Sequence, residues 1–282
     1  MTTAVLITGT SSGIGRAVAQ RLCHHPNLTV YATARRTEAI TDLADAGACI
    51  LALDVTDEKS MRAVVKSVES KHGAVGALVN NAGYGQYGTI EETDLDEVRR
   101  QFETNLFGLA RITQLVLPEM RAAGRGRIVN IGSMGGRLVF PAGGYYHASK
   151  YAVEAITDAL RFEVASFGIK VSLIEPGLVR TGFGDTAAHA FAGSAAQAGP
   201  YAPLNAAVDR QMADSYKSAL LSAPPEAVAK VIEHAVTTTR PRTRYVVTPA
   251  AKALVHTRRL LGARVFDAYL RMQFRISRHT IG

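Results

Sequence analysis

Short apolar, β-branched runs alternate with longer amphipathic stretches from residue 4 to about residue 248. That alternation constrains the fold more than any other feature of the chain. The apolar runs fall at 4–8, 28–33, 49–53, 77–79, 127–132, 169–174 and 244–247, and helical periodicity fills most of the gaps between them. Strands joined through helices and short loops return parallel to one another by right-handed crossovers. The expectation is therefore a single doubly wound α/β domain with helices on both faces of a parallel sheet. No linker composition or internal repeat interrupts it, so residues 1–250 read as one domain.

The first strand runs into Thr8-Gly9-Thr10-Ser11-Ser12-Gly13-Ile14-Gly15, followed by a helix with Ile14, Val18 and Leu22 on one face. Strand, glycine-rich turn and helix form the setting in which glycines admit a pyrophosphate to a helix N-terminus. The spacing is G-x-x-x-G-x-G, and glycines also serve simply to make turns. The second strand ends in Ala34-Arg35-Arg36 with no acid. An acid at this point accepts from the 2′-hydroxyl of NAD, whereas arginine accommodates the 2′-phosphate of NADP. Arg35 and Arg36 thus favour NADP(H), the alternative being a solvated charge pair at a strand end.

Tyr146 and Lys150 are four residues apart, so they project side by side if a helix opens there. Val153, Ile156, Leu160, Val164 and Phe167 supply the apolar stripe of such a helix. An ammonium beside a phenol favours the phenolate and lowers the tyrosine pKa from its usual value of about 10. Tyr146 is then a candidate general acid/base. Ser133 ends the 127–132 run and would present its hydroxyl at a strand's carboxyl end. Asn105 sits within the apolar stripe of a helix predicted over 95–120, formed by Leu95, Val98, Phe102, Leu106, Leu109, Ile112 and Val116. A core-facing asparagine is either a satisfied structural residue or part of a site.

These pieces together resemble the short-chain dehydrogenase/reductase family. The resemblance rests on the residue 8–15 turn, Asp54, Asn80-Asn81-Ala82-Gly83, Asn105, Ser133, Tyr146/Lys150 and Pro176-Gly177, in family order, with thirteen residues from Ser133 to Tyr146. It implies a Rossmann-type domain of seven parallel strands and a catalytic set of Asn105, Ser133, Tyr146 and Lys150. In that set Tyr146 exchanges the proton, Ser133 holds the substrate oxygen, Lys150 lowers the tyrosine pKa and holds the nicotinamide ribose, and Asn105 helps hold a relay water. The implied NADP(H) contacts are Gly9, Ser11, Ser12, Gly13, Ile14, Gly15, Arg35, Arg36, Asp54, Val55, Asn81, Ala82, Gly83, Tyr146, Lys150, Pro176, Gly177, Val179 and Thr181. Residues 32–36 and 81–85 look more loosely like the retinol and 17β-hydroxysteroid dehydrogenase-like branch, which implies a lipophilic alcohol or ketone. The family also implies a homodimer or homotetramer built on the 95–120 and 146–167 helices. A catalytically idle dinucleotide sensor or interaction protein on the same fold is the alternative, and the presence of all four catalytic residues argues against it.

The net charge of +8 is uneven, because residues 252–282 hold seven Lys/Arg and one acid. No nucleic-acid motif accompanies these residues, so nucleic acid is not an expected partner. The two cysteines, Cys23 and Cys49, are too few for a disulfide framework and lack metal-ligand company; both are expected to be buried. With no secretory signal visible, the expected compartment is cytoplasmic. Residues 181–223 lack strong periodicity and read as a mobile substrate loop. In the 251–282 extension, Leu254, Leu261, Val265, Tyr269, Met272 and Ile276 recur at helical spacing among arginines. This helix either packs over the 181–223 segment and walls the substrate cleft or lies on an anionic membrane surface.

Overall fold

The computed structural model describes residues 2–182 and 199–274. Seven strands form one parallel sheet: β1 (Thr3–Ile7), β2 (Leu28–Ala34), β3 (Cys49–Ala52), β4 (Ala77–Asn80), β5 (Gly126–Ile131), β6 (Ile169–Glu175) and β9 (Arg244–Val246). The strands are all parallel, as the alternation predicts, and lie in the order β3-β2-β1-β4-β5-β6-β9. A small second sheet pairs β7 (Leu178–Val179) with β8 (Ser222–Ala223).

Burial on both faces explains the continuous apolar strands. On one face, Val5, Ile7 and Val30 pack with Val18 and Leu22 of α1 (Gly13–Cys23) and with Ile232 of the Pro225–Thr237 helix. On the other, Leu6, Leu78 and Ile128 meet three helices. These are α3 (Glu58–His72), α5 (Leu109–Ala122) and α6 (Gly144–Glu163), which contribute Val64, Ile112 and Leu160. β1 pairs with both β2 and β4, so the strand order reverses there. That reversal opens a crevice at the carboxyl ends of the strands.

Four local expectations need correction. The 95–120 helix is divided into α4 (Leu95–Phe102), a widened π turn over Glu103–Gly108, and α5; Leu95 is exposed. α6 ends at Glu163, before the left-handed Gly168, so Phe167 lies on the surface rather than in a helical stripe. Cys23 is half-buried and Cys49 exposed, since Cys49 opens the edge strand β3. Within 181–223, Ala202–Lys217 is a helix with Pro203 in its first turn, where the missing N–H costs nothing; residues 183–198 lie outside the described residues.

The extension is helical over Pro249–Gln273 but kinked at Gly262. The kink divides the predicted stripe: Leu254 and Tyr269 turn inward while Leu261, Val265 and Met272 stay exposed. Ile276 falls outside the described residues. No described helix is long and apolar enough to cross a membrane.

Candidate active site

α6 starts two residues before Tyr146, which places Tyr146 and Lys150 one turn apart on the same buried face. They line a cleft of about 1180 Å³ together with Ile131, Gly132 and Ser133 at the end of β5. Ser133 Oγ accepts from the Gly135 N–H at 3.0 Å, and the same hydroxyl shares a hydrogen bond with Tyr146. Lys150 Nζ donates to the Ile131 carbonyl oxygen at 2.9 Å.

Burial dominates the protonation of this group. It pushes Tyr146 up to about 12, against the opposing effect of the Ser133 hydrogen bond. It pulls Lys150 down to about 8. The expectation that the lysine would draw the tyrosine toward neutrality is therefore corrected for the free protein. Desolvation disfavours both charged forms, and the ammonium is turned to the Ile131 carbonyl. Tyr146 is accordingly a protonated phenol near neutral pH, equipped to donate.

Asn105 occupies the widened turn and is fully buried behind the cleft wall. Its Nδ2 donates to the Tyr84 carbonyl (2.9 Å) and to Ser149 Oγ (3.1 Å), and its Oδ1 accepts from the Tyr84 N–H (3.0 Å). These bonds tie the loop after β4 to α6. His147 is a further organiser, one that sequence reasoning passed over. Its Nδ1 hydrogen-bonds the Gly135 carbonyl at 3.0 Å and its Nε2 accepts from the Phe140 N–H at 3.2 Å. Burial holds its pKa at about 4, so the ring is neutral. A polar residue between two catalytic positions of one helix was the available signal.

The other half of the cleft fits a dinucleotide. Gly9 has φ +71°, and a Cβ there would lie 2.9 Å from the Ala82 Cα. A Cβ on Gly15 would fall 2.3 Å from both Asn81 Nδ2 and the Gly9 carbonyl oxygen, so this residue packs α1 against the loop and does not border the cleft. No side chain caps α1 at Ser12 and its first turn carries no acid, which leaves N–H groups available to an anion. Ser11, Ser12, Gly13, Ile14, Asp54, Val55, Asn81, Ala82, Gly83, Pro176, Gly177, Val179 and Thr181 all line the cleft. Both Arg35 and Arg36 are exposed, but only Arg35 lines the cleft. Beyond Tyr146 the wall turns apolar, with Tyr87, Met134, Phe140, Val208, Met212, Tyr216, Leu254 and Tyr269.

The family described as short chain dehydrogenase matches residues 3–190. This chain belongs to that family. Among its relatives, 3-ketodihydrosphingosine reductase of Bacteroides thetaiotaomicron is 43% identical over 64% of this chain and 65% of its own length, just under two thirds. The uncharacterized oxidoreductase YbbO of Escherichia coli is 35% identical over 96% of this chain and 94% of its own. NADPH-dependent 3-dehydrocapnine reductase of Ornithobacterium rhinotracheale is 34% identical over 86% and 87%. Two solved short-chain dehydrogenases superpose closely. One from Streptomyces avermitilis has a TM-score of 0.80 at 36% identity, covering 96% of each chain. One from Burkholderia phymatum, in complex with NAD, has a TM-score of 0.78 at 28% identity, covering 92% of this chain and 93% of its own. Family members thus bind either dinucleotide in this fold.

Proposed function

We propose that this chain is an NADP(H)-dependent oxidoreductase that interconverts a ketone and a secondary alcohol on a lipophilic substrate. The observation that carries the reading is the Ser133–Tyr146–Lys150 group, its tyrosine and lysine buried and its serine half-buried, set where a glycine-lined half of the cleft meets an apolar half. When bound, the dinucleotide supplies or accepts the hydride. Gly9, Ser11, Gly13 and the start of α1 would hold its pyrophosphate, Asp54 and Val55 its adenine end, and Arg35 its 2′-phosphate.

The chain's own residues handle the oxygen and the proton. Ser133 and Tyr146 hydrogen-bond the substrate oxygen, so charge developing there meets two preplaced donors. Tyr146 then delivers its proton, a step suited to a phenol held protonated by burial. The Lys150 ammonium stabilises the tyrosinate left behind, and the surrounding apolar wall strengthens that attraction by excluding water. Asn105 and His147 hold the loops that keep these groups in register.

Two relatives whose names specify reduction of a ketone, 3-ketodihydrosphingosine and 3-dehydrocapnine, support the reductive direction. The second name also supports NADPH. The apolar cleft wall supports a substrate with an alkyl or polycyclic body. A panel of long-chain and short polar ketones assayed with NADPH and with NADH tests the reading. The expected result is NADPH consumption on long-chain ketones at much lower Michaelis constants than on short ones. Turnover confined to short polar ketones would reject the lipophilic substrate.

A further inference from the structure

The Pro249–Gln273 helix has two faces with different surroundings. Thr248 caps it, its Oγ1 accepting from the Ala251 N–H at 3.2 Å. On the inner face Val255 and Phe266 are buried against Leu138, and the Phe140 and Phe266 rings meet edge to face with centroids 5.9 Å apart. Leu254 and Tyr269 of this face line the substrate end of the cleft.

Gly262, at φ 75° and ψ −175°, breaks the helix in a conformation that other residues rarely adopt. Leu260 and Leu261 stand at the apex of the break, 78% and 57% exposed. Past it, Phe266, Tyr269 and Leu270 turn inward at spacings of three and four. Val265, Ala268 and Met272 then form an outer row, with Arg264 and Arg271 one position before its ends. Val265 is 46% and Met272 62% exposed. The helix carries Lys252, Arg258, Arg259, Arg264 and Arg271 against one acid, Asp267. Among the described residues none of Arg259, Arg264 and Arg271 is ion-paired.

We propose that this outer face docks on the surface of an anionic lipid bilayer. Large apolar side chains interleaved with unpaired arginines on a helix lying along a surface match the headgroup boundary, where apolar groups enter the acyl region and guanidinium groups meet phosphates. A second copy of the chain fits the face poorly, because a symmetric contact would set the same cations against themselves. The Met272 end of this face adjoins Gln273 and Phe274, which line the cleft. A lipophilic substrate therefore has a short path from bilayer to site. That last point rests on the proposed function; the docking does not.

The test uses full-length protein sedimented with vesicles of phosphatidylcholine alone or mixed equally with phosphatidylglycerol. Wild type is expected to sediment with the anionic vesicles, not the neutral ones, and to release in high salt. At roughly fivefold per basic residue, Arg264→Gln/Arg271→Gln should weaken partitioning on the order of 25-fold. Leu261→Ser/Met272→Ser should also abolish most binding while leaving the melting temperature and the turnover of a soluble ketone unchanged. Wild type that stays in the supernatant overturns the proposal. So does binding that survives both double variants, which would place the contact elsewhere. A drop in oligomer mass in the Leu261→Ser/Met272→Ser variant, without vesicle binding by wild type, would make the face a contact between copies instead.

Discussion

The Lys150 ammonium lies 2.9 Å from the carbonyl oxygen of Ile131, two residues before Ser133. This bond ties the helix that carries Tyr146 to the strand that presents Ser133. It also gives a buried cation a dipole to face. Burial still pulls Lys150 from 10.5 to about 8, so it is the one group of the three that titrates close to working pH.

The pH dependence follows from that order. Reduction needs Tyr146 protonated, which burial secures up to about 12, and Lys150 charged, which holds only below about 8. Reductive kcat/KM, which reports the free enzyme, is expected to be level below pH 8 and to fall as pH rises through it. A profile level to the ordinary lysine range of about 10.4 would contradict the assignment.

His147 is expected to contribute to acid lability. Its folded pKa of about 4 lies below the unfolded value of 6.5, so the unfolded chain takes up the proton first as pH falls. Stability is lost between these limits, by up to about 3 kcal/mol. Denaturant unfolding of wild type and His147→Gln at neutral and acid pH checks this. The variant should lose markedly less stability on acidification, and equal losses would exclude His147 as the cause.

Arg35 is expected to carry the cofactor preference. A charge-assisted contact with a phosphate contributes about 1.5–3 kcal/mol, or roughly 10- to 150-fold. Titrating NADPH and NADH against wild type and Arg35→Ala should show a preference for NADPH that the variant loses. An unchanged preference would move the role to the exposed Arg36, and tighter binding of NADH by wild type would reject NADP(H) altogether.

A homodimer or homotetramer built on α4–α5 and α6 is the expected assembly. Phe107, Tyr151 and Phe162 are large apolar side chains exposed on these elements, and a partner subunit would cover them. Light scattering at micromolar concentration that returned the monomer mass of 30.1 kDa would contradict it.

Much of this was legible in the chain because the relevant signals are local. Apolar runs such as Leu78-Val79 and Ile128-Val129 fix strands whatever their partners, and the parallel order follows from their alternation with helices. Tyr146 and Lys150 were legible because helical pitch alone makes them neighbours. What escaped was decided by tertiary packing. The widened turn at Asn105 satisfies Tyr84 and Ser149, residues 21 and 44 positions away in the chain. Arg244 on the edge strand β9 hydrogen-bonds Asp158 on α6 at 2.5 Å and Glu175 at 3.0 Å, and also pairs with Glu154. Burial and the nearby Glu175 carboxyl raise the Glu154 pKa. No spacing rule marks that cluster. The tyrosine pKa was misjudged for the same reason, since desolvation depends on what surrounds a residue and not on its sequence neighbours.

The most direct test of the central claim is turnover of Tyr146→Phe with NADPH and a good ketone substrate. The change removes one hydroxyl, and with it the proton donor. Turnover should fall about 10²- to 10⁴-fold, while NADPH affinity, measured by titration on the same preparation, stays within a few-fold of wild type. A variant that reduces the ketone at the wild-type rate would show that Tyr146 is not the acid, and the proposed chemistry would fall with it.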